Sequence, residues 1–96
     1  MNKNDIKNKI IKNRKLLTQA QVRSIALFGS YARNEQRADS DIDFLVEFKK
    51  NSYDNFIGLV FSLEDLFKKE VNVVTPAGLS PYLRPFVLKE AEKIEG

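Results

Sequence analysis

Residues 22–30 (VRSIALFGS) decide the fold together with residues 41–48 (DIDFLVEF). The first stretch is rich in β-branched and large apolar side chains and stops at Gly29, which predicts a strand over Val22–Phe28. The second stretch alternates between apolar and acidic residues, so that Ile42 and Phe44 share one face and Asp41 and Asp43 share the other. The sequence therefore predicts two strands, the second of them with a polar face at its start.

Helical patterns flank these strands. Helices are predicted over residues 4–20, 30–35, 52–69 and 80–94, and a third strand over residues 71–75. Ser30 is expected to cap the short second helix and Asn34 to end it, because asparagine tolerates the left-handed backbone conformation. Ser52 is expected to cap the third helix, and Pro85 to kink the last one or delay its start. The order α-β-α-β-α-β-α predicts an α/β fold in which helices pack on a three-stranded mixed sheet.

Length and composition exclude several classes of chemistry. The chain has 96 residues, which fits a single domain over residues 1–96. It contains no cysteine and no histidine, which excludes disulfides, thiolate or imidazole zinc sites, and Ser-His catalysis. Any catalysis must therefore rest on carboxylates, hydroxyls, lysines, arginines and a metal ion held by oxygen ligands.

Charge and hydropathy bear on partners and location. No apolar run approaches the roughly 20 residues that span a bilayer, and the N-terminus lacks a secretory signal, so the cytoplasm is expected and membrane association is not. Residues 1–23 hold seven basic side chains and one acidic side chain, a charge of +6 within a chain of net charge +3. Such a helix could attract nucleic acid, but a solvated helix face is favoured, because no aromatic side chains interleave with the basic ones.

Asp41 and Asp43 form the first candidate site. Two residues apart on a strand, their carboxylates leave the same face about 7 Å apart. Such a pair suits Mg²⁺, which binds one or two carboxylates together with substrate phosphates. By itself the pattern is also typical of a solvent-facing strand end.

Gly29 and Ser30 form the second candidate site. A strand that ends in Gly-Ser before a helix lets backbone N–H groups approach an anion, and the serine hydroxyl can donate to a phosphate oxygen. An ordinary strand-to-helix turn has the same sequence, and the spacing is not that of a P-loop. If the two strands are neighbours, triphosphate and metal meet at one edge of the sheet.

Together these stretches resemble a known family. LFGSYAR at residues 27–33 and SDIDFLV at residues 40–46 are similar to the G-S-x-A-R and S-D-x-D signature of minimal nucleotidyltransferases, of the DNA polymerase β-like superfamily. Residues 71–85 are similar to that family's third strand and closing helix. The resemblance implies an MntA-like antitoxin of an MNT–HEPN pair, which transfers AMP from ATP to a tyrosine hydroxyl of a HEPN-domain toxin.

The resemblance also implies roles for individual residues. Gly29 and Ser30 would hold the triphosphate of ATP, and Asp41 and Asp43 would bind Mg²⁺. Arg33 could reach a phosphate or the loop before Asp41, and an ion pair with Glu35 or Asp39 is an equally good interpretation of it.

The chain departs from the family at Asn72, where a third carboxylate is usual. Asparagine offers a carbonyl oxygen but carries no charge and accepts no proton. Glu47 lies about 13 Å along the strand from Asp43, too far to replace that carboxylate, and Glu70 is a weak candidate. Nucleotide binding without turnover, slow turnover and a deliberate substitution that traps a complex all fit Asn72. The alternative function is an antitoxin that neutralises its HEPN partner by binding alone.

The aromatic side chains are assigned mostly to the core by their spacing. These are Phe28, Phe44, Phe48, Phe56, Phe61, Phe67 and Phe86. Tyr82, Arg84 and Phe86, near the start of the last helix, could instead form a surface for a partner protein.

Overall fold

The computed structural model describes all 96 residues. In chain order the elements are α1 Lys3–Lys12, α2 Arg14–Gln19, β1 Val22–Phe28, α3 Gly29–Ala32, β2 Ile42–Phe48, α4 Tyr53–Phe67, β3 Val71–Val74, a 3-10 turn Pro76–Gly78, α5 Arg84–Glu90 and β4 Glu92–Glu95. None of the helices is both long and apolar enough to cross a membrane.

The sheet has four strands in the order β3-β2-β1-β4. The inner strand β1 pairs antiparallel with both β2 and β4, whereas β2 and β3 run parallel. A parallel pair needs a crossover connection, and α4 supplies it. The mixed α/β fold is therefore confirmed, but the prediction of three strands is wrong.

The fourth strand replaces the end of the predicted last helix. Helix α5 stops at Glu90, and Ala91 has extended backbone angles. Residues 92–95 then pair with β1. Without β4, the outer edge of β1 would expose unpaired backbone groups, and the long-range pairing satisfies them. The helical periodicity of residues 80–94 contains no information about the open edge of β1.

The ends of the helices confirm some predicted signals and correct others. The predicted first helix is divided at Asn13, whose Nδ2 donates to the Lys9 carbonyl at 2.8 Å. Ser30 is not the cap of α3, because Phe28 precedes that helix without a side-chain cap. Asn34 has a φ of 59°, as expected for a left-handed end. Ser52 caps α4, accepting from the backbone N–H of Asn55 at 3.1 Å.

The core lies between the sheet and the helices α1, α2 and α4. Its fully buried side chains are Phe44, Ile6, Ile10, Ile25, Leu27, Ile42, Leu59, Leu63 and Val46. Phe44 packs against Phe67 with ring centroids 6.0 Å apart. Phe61 and Phe86 are exposed over 63% and 73% of their surface, so the assignment of these two to the core is wrong.

Candidate active site at the end of β1

The register of the sheet brings the predicted site residues together. Phe28, the last residue of β1, lies opposite Asp43 of β2. Asp43 in turn lies opposite Asn72 of β3. Gly29 follows Phe28 directly, so the turn and the carboxylate pair meet where β1 ends and β2 begins. This confirms that the two strands are neighbours.

Gly29 is required by the backbone and by its neighbour. Its φ is +75°, a conformation that L side chains rarely adopt. A Cβ atom added at Gly29 would overlap Asp43 Oδ2 and lie 2.9 Å from Asp43 Cγ. The absence of a side chain therefore lets the turn pass directly against the carboxylate.

Asn72 bridges the two carboxylates. Its Nδ2 donates to Asp43 Oδ1 at 2.9 Å and to Asp41 Oδ2 at 3.5 Å. The side chain therefore lies beside the pair, at the position predicted for the third acid. In this chain an amide takes the place that a carboxylate would have.

The electrostatics at Asp43 favour a positive charge nearby. Burial raises the pKa of the Asp43 carboxyl, the hydrogen bond from Asn72 lowers it, and the Asp41 carboxylate raises it again. The net result is a pKa above the usual value, so ionising Asp43 is disfavoured in the folded chain. A cation between the two carboxylates would relieve that penalty.

Arg33 forms the ion pair with Glu35 that the sequence suggested, and a second ion pair that it did not. Its Nε donates to Glu35 Oε1 at 2.7 Å, which is the ion pair that the sequence suggested. Its Nη1 also donates to both oxygens of Glu90, at 2.9 and 3.0 Å. These two partners raise the pKa of Arg33 above its usual value, Glu35 contributing most.

Glu90 also belongs to the site, although no sequence pattern indicated it. Its Oε1 accepts from the backbone N–H of Gly29 at 2.5 Å. A glutamate near the end of a predicted surface helix carries no sequence signal for such a role. Only the end of α5 at this residue, and the return of the chain along β1, bring the carboxylate to the turn.

Neither acid considered as a substitute for Asn72 reaches the site. Glu47 lies opposite Ser24, towards the other end of β1, and is exposed. Glu70 is also exposed and precedes β3. No group of three or more acidic side chains is arranged to hold a metal ion.

The donor set nevertheless fits Mg²⁺. Asp41 and Asp43 provide carboxylate oxygens, which are the hard ligands that Mg²⁺ binds. The Asn72 amide touches both carboxylates, and its rotation by half a turn would present its carbonyl oxygen in place of the N–H. Phosphate oxygens and water would have to complete the coordination.

The chain is similar to named proteins along most of its length. The family model of the nucleotidyltransferase domain matches residues 6–94. A Methanocaldococcus jannaschii protein named "Putative protein adenylyltransferase" is 45% identical over 92 residues, which cover 95% of this chain and 96% of that protein. The protein adenylyltransferase MntA of Thermococcus cleftensis is 41% identical over 70 residues, covering 72% of this chain and 71% of that protein.

Solved structures share the fold. One, described as a "putative minimal nucleotidyltransferase", superposes with a TM-score of 0.82 at 33% identity, covering 96% of this chain and 95% of its own. A toxin–antitoxin structure with AMP-PNP has a TM-score of 0.75 at 29% identity, covering 94% of this chain and 73% of its own. A complex of a tri-AMPylated Shewanella oneidensis HEPN toxin with its MNT antitoxin has a TM-score of 0.66 at 27% identity, covering 94% and 69%.

The match over residues 6–94 spans every strand of the sheet except the last residue of β4. It includes the turn at Gly29, both aspartates and Asn72. The chain therefore belongs to the nucleotidyltransferase domain family.

Proposed function

We propose that this single domain, residues 1–96, is an antitoxin that transfers AMP from ATP to a hydroxyl group of a HEPN-domain toxin. The observation that carries the proposal is the register that places the Gly29 turn, Asp43 and Asn72 side by side. The relatives named as adenylyltransferases and the AMPylated HEPN complex support the same reaction and partner.

In this proposal each residue acts through its position. Gly29 and Ser30 hold the triphosphate, because the glycine permits close approach of backbone N–H groups and the serine adds a hydroxyl donor. Arg33 contributes positive charge beside Gly29. Asp41 and Asp43 hold Mg²⁺, which when bound neutralises negative charge on the phosphates.

The transfer itself is a displacement at phosphorus. The hydroxyl oxygen of the acceptor bonds to the α-phosphorus of ATP, the bond from that phosphorus to the bridging oxygen breaks, and pyrophosphate leaves. The proton of the hydroxyl passes to solvent, because Asn72 cannot accept it. General-base help is worth about 10² to 10⁴ in rate, so slow turnover is expected.

A second function is favoured by the same asparagine. Nucleotide transfer could be dormant, and the chain could neutralise its partner by binding alone. Tyr82 and Phe86, which are 86% and 73% exposed, offer an apolar surface for that contact.

Label transfer separates the two functions. The chain is incubated with Mg²⁺, ATP labelled at the α-phosphate and the HEPN-domain protein with which it is co-expressed. We expect label on the partner, faster labelling with Asn72→Asp, and none with the double variant Asp41→Ala/Asp43→Ala. If Asn72→Asp labels nothing while an active relative does, the transferase proposal is wrong. If the double variant still protects cells from the toxin, binding alone suffices.

A further inference from the structure

Two of the donors that would bind a nucleotide phosphate already bind a carboxylate of the chain itself. The Gly29 N–H is a backbone donor at the turn and the Arg33 guanidinium is a side-chain donor beside it, and both donate to the one carboxylate of Glu90. The contact with Gly29 is short, at 2.5 Å. Charge-assisted hydrogen bonds of this kind are the stronger ones in proteins.

The position of Glu90 is electrostatically unfavourable for the rest of the site. Its negative charge is among the causes that raise the pKa of Asp43. It is also the last residue of α5, where a helix end favours cations over anions. Glu90 therefore adds a carboxylate to a site that already holds two, and the contacts with Gly29 and Arg33 keep it there.

The element that carries Glu90 is held loosely. None of the seven residues of α5 is buried. Glu90 contacts Gly29 and Arg33 at the C-terminal end of the helix, and the strand β4, which pairs with β1, follows directly. Segments with few buried apolar contacts open at low free energy, so α5 can withdraw while the core of the domain stays folded.

We propose that Glu90 is an internal competitor for the nucleotide site: its carboxylate occupies the phosphate donors at Gly29 and Arg33 and must withdraw before nucleotide binds. This inference rests on the proposed function, since it takes the Gly29 turn as the phosphate site. It adds a closed resting state, in which nucleotide binding is disfavoured until α5 moves Glu90 away from the turn.

The test compares two variants that lose one negative charge each. Glu90→Gln removes the competing anion, and Glu35→Gln removes the other partner of Arg33 while the Gly29 N–H stays occupied. Mg²⁺-ATP binding is measured by calorimetry, and the amide resonance of Gly29 is followed by NMR without nucleotide. We expect Glu90→Gln to bind about tenfold more tightly than the unaltered chain, about 1.4 kcal/mol, and Glu35→Gln to change affinity by less than about twofold.

The Gly29 amide reports the contact directly. It should shift in Glu90→Gln without nucleotide, because an amide oxygen is a weaker acceptor than a carboxylate, and stay in place in Glu35→Gln. Glu90→Asp, which keeps the charge but shortens the side chain by one methylene group, is a second variant at position 90. It should also bind Mg²⁺-ATP more tightly, because its carboxylate no longer reaches the turn.

The outcomes separate this inference from the proposed function. If the unaltered chain binds Mg²⁺-ATP and neither Glu90→Gln nor Glu90→Asp binds more tightly, the competition is refuted and the proposed function stands. Weaker binding by both variants would instead make Glu90 a residue that positions Arg33. If no protein in the series binds Mg²⁺-ATP, the nucleotide site itself is wrong, and the inference fails with it.

Discussion

Replacing Gly29 by alanine should test the geometry of the site through stability alone. The added Cβ would overlap Asp43 Oδ2 and lie 2.9 Å from Cγ and 3.2 Å from Cβ of the same residue. The backbone at position 29 has a φ of +75°. The substitution therefore carries two separate penalties, one from the conformation and one from the contact with Asp43.

The two penalties can be estimated separately. A left-handed conformation costs an L residue about 1 to 2 kcal/mol. Moving a packed side chain out of the way of an added methyl group costs about 1 to 3 kcal/mol. Gly29→Ala should thus lower the free energy of unfolding by about 2 to 5 kcal/mol, which is a large share of the stability of a small domain.

A double-mutant cycle with Asp43→Ala isolates the contact. Asp43→Ala removes the two atoms that clash most and leaves the Cβ at 3.2 Å. In that background Gly29→Ala should cost mainly the conformational penalty, so a coupling of about 1 to 3 kcal/mol is expected. Urea unfolding is followed by far-UV circular dichroism, because the chain has no tryptophan.

Gly58→Ala is the matched control. Gly58 lies within α4, and a Cβ added there meets nothing within 4 Å. This change should raise the free energy of unfolding by about 0.5 to 1 kcal/mol, since alanine favours a helix interior. If Gly29→Ala is as harmless as Gly58→Ala, or costs the same with and without Asp43→Ala, the close approach of the turn to Asp43 is wrong.

Two titratable groups yield further predictions. Burial raises the pKa of Asp43, so ionisation of this carboxyl opposes folding. The destabilisation is absent below the pKa of the unfolded carboxyl and grows as the pH rises through the higher pKa of the folded chain. Asp43→Asn should therefore stabilise the chain at pH 7, by up to about 1 kcal/mol because solvent screens the half-exposed carboxyl, and a gain that persists at about pH 3 would contradict this. Glu92 has the opposite sign: ion pairs with Lys3 at 2.8 Å and Lys7 at 3.1 Å lower its pKa, so it stabilises the fold above the unfolded pKa and loses that effect as the pH falls. Glu92→Gln should lower the free energy of unfolding by up to about 1 kcal/mol at pH 7 and by less at about pH 3; an equal loss at both values would exclude the ion pairs as its cause.

Much of the site could be predicted because its signals are local. The two-residue period of residues 41–48 places Asp41 and Asp43 on one face whatever the strand packs against. The strand VRSIALF stops at a glycine, and Asn34 adopts the left-handed conformation its residue type favours. The departure at Asn72 was likewise visible from its place in a strand that resembles the third strand of the family.

The missed features depend on residues far apart in the chain. Glu90 lies 61 positions from Gly29, and no periodicity within residues 80–94 shows that the helix stops there. Phe86 fits helical spacing but faces solvent, since spacing identifies a stripe and not what covers it. Phe61 is different, since it lies two residues from both Leu59 and Leu63 and therefore on the opposite face of α4. The break of the first helix at Asn13 is a local feature, but the residues around it have a composition typical of a continuous helix, so the sequence does not indicate the break.

The sequence by itself determined the strands β1 and β2, the glycine turn, the carboxylate pair and the family. The reason is that the alternation of apolar and polar residues, the end of a strand at glycine and side-chain chemistry all act over a few residues. Only the tertiary structure decided that β4 completes the sheet, that the Asn72 amide donates to both aspartates, and that Glu90 occupies the donors of the turn. Each of these is a contact between distant segments. Such contacts form where folding leaves a backbone edge, a carboxylate or an N–H group in need of a partner.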